Sequence, residues 1–217
     1  GKACCRPAGG TVGAVRPGQR TPRHGGKAPG QEEKMEFLKK EIILANGKNC
    51  VLQSPGPKDA QKMMDYLKQT AAETHFMLRL PEEVTMTVEA EEKYLKSALE
   101  DPLSLMINAV VDGKLAGNVG LSPIAPRQKT RHRVSVGIAV RKEYWGMGLG
   151  RLLMQEAIGT APAMGYTQME LGVYSDNERA IRLYETLGFE RWGVLRCAFR
   201  LPDGTYRDEI QMGLFLK

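Results

Sequence analysis

From Met35 onward, apolar residues recur at a spacing that switches between two and three-to-four, the mark of strands interleaved with helices. Lys40 to Gln53 alternates and breaks at Asn46-Gly47, so it reads as a strand or a short hairpin. Ala60, Met63, Met64, Leu67 and Ala71 lie near helical spacing and predict a helix from Asp59 to Thr74. Thr87 is placed to cap a second, acidic helix to about Leu99, with Tyr94, Leu95 and Ala98 on one face.

The middle of the chain reads as a meander. Leu105 to Val111 predicts a strand, Asp112-Gly113 a tight turn, and Leu115 to Leu121 the returning strand. A polar, basic loop from Ser122 to His132 leads to an apolar strand from Val134 to Val140. Then comes Tyr144-Trp145-Gly146-Met147-Gly148-Leu149-Gly150-Arg151, with a helix expected from Arg151. Pro162 should end or kink that helix and Gly165 terminate it. Nothing in the sequence explains Gly159 and Pro162 in such a segment.

Another strand is expected from Met169 to Tyr174. Ser175-Asp176-Asn177-Glu178 then has the form of a capping box, with Ser175 at the cap and Glu178 reaching back. The helix it opens carries Ala180, Ile181, Tyr184 and Leu187 on one stripe and stops at Gly188. Two closing strands, Trp192 to Leu201 and Tyr206 to Leu216, flank Pro202-Asp203-Gly204. No internal repeat is visible.

Composition narrows the function classes. The 217 residues are 42% hydrophobic, enough for one well-buried domain and too few for two. No apolar run approaches the ~18 residues of a membrane span, and no stretch resembles a signal peptide. A cytoplasmic location without a membrane partner is therefore expected. Of the four cysteines, Cys4 and Cys5 are adjacent and Cys50 and Cys197 stand alone. Without a C-x-x-C pair, neither a metal site nor a structural disulfide is expected.

The net charge of +6 suggests nucleic acid until its position is considered. In residues 1–34, seven Lys or Arg stand against Glu32 and Glu33, so the remainder is close to charge balance. That Gly/Pro-rich stretch has no aromatic residue and no apolar periodicity, and cannot offset the entropy of ordering. Residues 1–34 are expected to be a disordered basic tail, added or translated upstream of the domain at 35–217. A basic arm for an acidic partner and an inert linker are the other readings. No nucleic-acid partner is expected.

The glycine run makes a turn between strand and helix with almost no side-chain bulk, where backbone N–H groups can converge on an anion. It suits a pyrophosphate. A P-loop needs Lys then Ser or Thr after its last glycine, and Arg151-Leu152 follow instead. A dinucleotide fingerprint from Gly146 needs a third glycine where Arg151 stands. The bland reading is a helix-start turn with no ligand.

The run does not stand alone. Strand, G-x-G-x-G, helix and strand are followed by Ser175-Asp176-Asn177-Glu178, Ala180, Leu183-Tyr184 and Gly188-Phe189. This order resembles the GNAT superfamily of N-acetyltransferases over most of residues 36–217, most densely from Val134 to Phe189. Many members carry Arg or Gln where Trp145 stands. Tyr-Trp-Gly-x-Gly-x-Gly is similar to a variant among bacterial small-substrate and ribosomal-protein acetyltransferases.

The resemblance implies a mixed α/β (α+β) fold, with a mostly antiparallel twisted sheet, one splayed strand pair, and helices on both faces. It implies acetyl-CoA as co-substrate, no metal, and a primary amine acceptor, either a small molecule or a protein N-terminus. It leaves room for a homodimer. The pyrophosphate would sit on the N–H groups of Gly146, Met147, Gly148, Leu149, Gly150 and Arg151, with an amide contact from Asn177. The pantetheine arm would pair like an added strand along Ile138, Ala139 and Val140, through the backbone of Ile138 and Val140. Gly137 fits a bulge or a close backbone approach there. The N–H of Ile138 is the matching candidate for polarising the thioester carbonyl.

Two protons must then move. An alkyl ammonium of pKa ~10.4 cannot attack until it loses one. The histone-acetylating members place a glutamate four residues before Ile138, where this chain has Val134. Glu170 and His132 are substitutes beside a water relay, and a structural carboxylate is the other reading of Glu170. Tyr184 matches the family's tyrosine acid, whose phenol (pKa ~10) can donate to the leaving thiolate. Outside that resemblance, Tyr184 is a residue of a buried stripe and Asn177 a polar first-turn residue.

The acceptor is poorly specified. Acidic helices (Glu82, Glu83, Glu89, Glu91, Glu92) would attract an amine, and a basic loop (Arg127, Lys129, Arg131, His132, Arg133) a carboxylate or phosphate. Both also read as solvated surface. A ribosomal-protein N-terminal alanine acetyltransferase is the specific alternative, and a non-catalytic acetyl-CoA-binding sensor is the alternative of another class.

Overall fold

The computed structural model describes residues 36–125 and 127–217. The tail over residues 1–34 lies outside them. Strands β1 (Lys40–Ile43) and β2 (Asn49–Gln53) form a hairpin whose turn places Gly47 at φ 81°. β3 (Leu105–Val111) and β4 (Lys114–Pro123) turn through Asp112 and Gly113, both at positive φ, the pairing that matches the twist of a two-residue hairpin. β5 (Arg133–Val140), β6 (Gln168–Tyr174), β7 (Glu190–Arg200) and β8 (Tyr206–Phe215) complete one sheet in the order β1-β2-β3-β4-β5-β6-β8-β7.

Every neighbouring pair is antiparallel except β5 and β6. Those two pair in parallel only at Arg133↔Gln168, Val134↔Met169 and Ser135↔Glu170. Beyond that point β5 stays with β4 as far as Val140, while β6 follows β8 as far as Tyr174. The strands therefore part in the middle of the sheet. Each loses one edge partner there and keeps the other.

Helices α1 (Ala60–Glu73), α2 (Val88–Glu100), α3 (Leu149–Thr160) and α4 (Glu178–Thr186) cover the sheet. Leu153, Met154 and Ala157 of α3 and Ile181 of α4 belong to the larger apolar cluster, with Val134, Val136, Met169 and Leu171 of the sheet. A smaller cluster joins Ala60, Met63 and Tyr66 of α1 with Leu95 of α2 and Leu115 of β4. This is the mixed, mostly antiparallel, helix-flanked architecture that the family resemblance implied.

Three local expectations shift. α3 begins at Leu149, two residues before Arg151, because Gly148 takes a left-handed conformation (φ 78°) as its N-cap. On α2, Leu95 and Glu91 are buried, whereas Tyr94 is 56% exposed. The cap of α4 is Asn177 rather than Ser175. The Ser175 N–H donates to the Asp208 carbonyl (2.9 Å), which holds that residue in the turn, and Asn177 Oδ1 accepts from Ala180 N–H (3.2 Å). Glu178 does not reach back but pairs with Arg182 (2.9 Å).

Gly117 shows how tightly α3 sits on β4. A Cβ there would meet Leu153 Cδ1 at 3.0 Å, the Ala139 carbonyl at 3.2 Å and Val140 Cγ2 at 3.3 Å. Overfilling such a contact costs about 1–3 kcal/mol. Gly117→Ala is expected to lower the urea midpoint by that order without changing the slope of the transition.

Candidate active site

The parting of β5 and β6 opens a cleft of about 1400 Å³. One wall is the free edge of β5. Successive strand residues aim their N–H and C=O groups to opposite sides. The Arg141 N–H donates to the Ala116 carbonyl of β4 (2.9 Å), so Val140 and Ile138 turn their polar groups toward the gap. The Trp145 indole N–H accordingly reaches the Val140 carbonyl (2.7 Å). The guanidinium of Arg179, in the first turn of α4, lies 4.7 Å from the centre of the Trp145 ring. Tyr66 of α1 donates its hydroxyl to the Ala139 carbonyl (2.7 Å), and burial pushes its phenol well above the usual range. Gly137 makes no bulge, since it pairs in register with Gly120, and a Cβ on it would meet nothing within 4 Å.

The floor at one end is the glycine turn. Gly146 and Gly148 both take positive φ (82° and 78°), which a residue with a Cβ adopts only with strain. The two αL residues lead into α3, whose first N–H groups, on Leu149, Gly150 and Arg151, have no carbonyl one turn back. The positive end of the helix dipole faces the same space. Gly150 has an ordinary φ, but a Cβ on it would stand 3.3 Å from Leu183, so its bareness lets α3 approach α4. The Arg151 guanidinium is turned onto Thr186 of α4 (2.8 Å), and the Met147 sulfur accepts from the Asn46 amide (3.3 Å).

Tyr184 reaches the cleft from α4. It is 8% exposed and packs against Phe189, with ring centroids 5.9 Å apart. Burial pushes its phenol up to about 12, above the ordinary value near 10 on which the sequence reading relied. The hydroxyl makes no hydrogen bond to any other described residue, so its proton is available to the cleft.

Of the residues expected to bind the co-substrate, Ile138, Ala139, Val140, Gly146, Gly148, Leu149, Gly150, Arg151 and Asn177 line the cleft, as does Tyr184. Met147 does not. Its expected role was through the backbone, and its side chain points elsewhere. Trp145, Arg179, Tyr66 and Glu209 also line the cleft and carried no assignment from the sequence. For Trp145 the only signal was its departure from Arg or Gln.

Glu170 is a correction. It does not line the cleft. Arg133 Nε–H and Nη2–H donate to its two carboxylate oxygens, the second at 2.6 Å, and Gln168 adds a third bond at 2.8 Å. The Arg133 guanidinium holds the carboxyl below its usual range. A carboxylate so saturated is a poor proton acceptor, and Glu170 instead clips β5 to β6 at the closed end of the splay. Arg133 is thereby removed from the basic loop as an anion site. Of the acidic residues on α2, Glu91 alone faces the cleft, 4% exposed, its carboxyl raised by burial.

The chain matches the model of the Acetyltransferase (GNAT) family over residues 64–189. It is 32% identical over 103 residues to N-alpha-acetyltransferase RimI of Mycobacterium tuberculosis, a match covering 48% of this chain and 63% of that one. It is 38% identical over 77 residues to the [Ribosomal protein bS18]-alanine N-acetyltransferase of Escherichia coli K12, covering 36% of this chain and 51% of the relative. The matches thus span between a half and two thirds of these relatives' lengths. Among solved structures, a GNAT-family acetyltransferase of Streptococcus pneumoniae superposes with a TM-score of 0.73 at 28% identity, covering 77% of this chain and 99% of that one. The Salmonella typhimurium protein yncA, solved with acetyl-CoA, shares the fold, with a TM-score of 0.68 at 20% identity, covering 78% of this chain and 95% of that one.

Because the folded-state pKa of Glu170 is depressed, its contribution to stability is present above the unfolded glutamate value of ~4.3 and is lost as pH falls through the lower folded one. Glu170→Gln is expected to cost about 1 kcal/mol at pH 7, given the partly exposed arginine. The gap from the parent should close on acidification. Thermal denaturation at pH 7 and pH 3 measures both.

Proposed function

This chain belongs to the acetyltransferase (GNAT) family, and from that premise we propose that it transfers the acetyl group of acetyl-CoA to a primary amine. The observation that carries this reading is a juxtaposition. The strand edge that β6 leaves open at Ile138 and Val140, the donor-rich turn from Gly146 to Arg151, and the Tyr184 hydroxyl all open on one cleft. Each answers a different part of acetyl-CoA. The helix N-terminus suits the pyrophosphate, and the strand edge suits the amide-bearing pantetheine arm. The N–H of Ile138 faces the gap as the single donor for the thioester oxygen. The Asn177 Oδ1 is committed to its cap, which leaves the amide NH₂ for the co-substrate.

The reaction is direct attack. The amine nitrogen forms a C–N bond at the acetyl carbon, the C–S bond breaks, and the sulfur leaves as a thiolate that Tyr184 meets. With its phenol near 12, Tyr184 stays protonated throughout the working pH range. It is a weaker acid than the thiol it faces, so its main contribution is a hydrogen bond to the developing charge. That free hydroxyl supports turnover over a non-catalytic acetyl-CoA sensor.

The two N-terminal acetyltransferases among the relatives support a second, narrower reading, in which the acceptor is a protein N-terminus such as that of a ribosomal protein. An α-amine of pKa ~8 is already partly free near neutrality, so less proton abstraction is required of the site than for an alkyl amine.

Tyr184→Phe is expected to lower kcat by about 10²-fold or more, with little change in acetyl-CoA affinity by calorimetry. A kcat within about twofold of the parent would remove Tyr184 from the mechanism. A thiol-release screen across amino acids, polyamines, aminoglycosides and N-terminal peptides tests the reading as a whole. Release with no amine above the rate with water would sink it.

A further inference from the structure

With Glu170 occupied by Arg133, the proton of the acceptor ammonium has no assigned destination. Three carboxylates line the cleft among the described residues: Glu91, Asp101 and Glu209. Asp101 accepts from the Leu103 N–H (2.9 Å) and the Ser104 hydroxyl (2.6 Å). Glu91 stands on α2, which packs on α1 and β3. Glu209 alone belongs to a strand beside the splay.

Glu209 lies on β8, in register with Tyr174 of β6, and its side chain leans along the sheet over Gly172. A Cβ built on Gly172 would overlap the Glu209 carboxyl, so the glycine is the reason the carboxylate can lie there. Continuing the parallel register by two residues from Ser135↔Glu170 sets Gly172 against Gly137, across the gap where the strands have parted. Two bare positions therefore face each other with one carboxylate above them. Gln211 holds one oxygen of Glu209 (2.6 Å) and leaves Oε1, the atom nearest the space over Gly172, able to accept. The stacked rings of Tyr174 and Phe199, with centroids 3.8 Å apart, wall the same part of the cleft. Carboxylate beside aromatic faces is the chemistry that holds an ammonium. Arg207, two residues earlier on β8, is turned to Asp176 (3.0 Å). Leu195 is the β7 partner of Glu209 and brings no charge.

We propose that Glu209 receives the ammonium of the acceptor and takes its proton, from the sheet face opposite Tyr184. The proposal rests on the acetyl-transfer reading. The ammonium gives one proton to the Glu209 carboxylate, and the freed lone pair forms the C–N bond as the C–S bond breaks. The thiolate, hydrogen-bonded by the Tyr184 hydroxyl, takes the second proton that the nitrogen loses as the amide forms. Glu209 then releases its proton to solvent, so one proton leaves per turnover. Leu171 and Val173 share the core with Tyr184, and Gly172 between them points to the other face, so the two groups approach the gap from opposite sides.

The test uses the full chain with acetyl-CoA and three acceptors, an alanyl peptide, spermidine and phosphinothricin, read by thiol release at pH 7.5. On the acceptor used fastest by the parent, Glu209→Gln should lower kcat about 100-fold or more while acetyl-CoA affinity and Tm hold. The deficit should narrow as pH rises toward the amine's own pKa, where solvent supplies free amine. Gly172→Ala, which pushes an intact carboxylate aside, should lower kcat about tenfold and decides the matter if Glu209→Gln folds poorly. Both variants within threefold of an active parent would overturn the proposal alone. A parent that binds acetyl-CoA and acetylates neither these three nor any amine of the wider thiol-release screen overturns the transferase reading, and this proposal with it.

Discussion

An open strand edge in the middle of a sheet is the constraint on which this molecule turns. Backbone N–H and C=O groups left unpaired inside a fold are costly, so a sheet ordinarily zips closed. Here pairing between β5 and β6 stops after Ser135↔Glu170. Each strand is held away from the other by its outer neighbour, β4 on one side and β8 on the other. The Arg133–Glu170 pair fixes the point at which the gap begins. At the far end the Trp145 indole satisfies the Val140 carbonyl, with Arg179 laid over the ring. What remains unsatisfied between these ends is what a bound chain could pair with.

The rest of the site is placed by that gap. β5 leads directly into the glycine turn, so the donors at the start of α3 lie along the same line as the free edge. α4 follows β6 and brings Tyr184 to the gap from the core side, where burial keeps its proton on. The face opposite is lined with small residues of β4, β5 and β6, and the bulk there comes from α1, α2, Tyr174 and Phe199. The proposed donor grip is thus built mainly from backbone, while the proposed acceptor side is built from side chains of distant segments.

Much of this was legible in the chain itself. Among the described residues, period-two and helical spacing placed six of the eight strands and all four helices to within a few residues and left the first two strands as one strand or a short hairpin, and the turns at Asp112-Gly113 and Asn46-Gly47 hold residues that tolerate positive φ. The errors came where two local readings were equally good. Ser175 and Asn177 both make sound caps, and the choice fell to Asn177 because β8 claims the Ser175 backbone. Tyr94 and Glu91 lie almost a turn apart on α2, and it is the carboxylate, against chemical expectation, that packing buries.

What the sequence determined by itself was whatever depends on near neighbours: the order of elements, the glycine turn with its helix start, and the Tyr184 position within its motif. Tertiary structure alone decided which carboxylate does what. Glu170 and Glu209 are both polar residues on alternating strands, and nothing within a few positions of either tells them apart. Strand register sets the first against Arg133, 37 residues away in the chain, and lays the second across Gly172. The chemistry of a charged group is set by the groups near it in space and by its burial, and a one-dimensional pattern does not contain those distances.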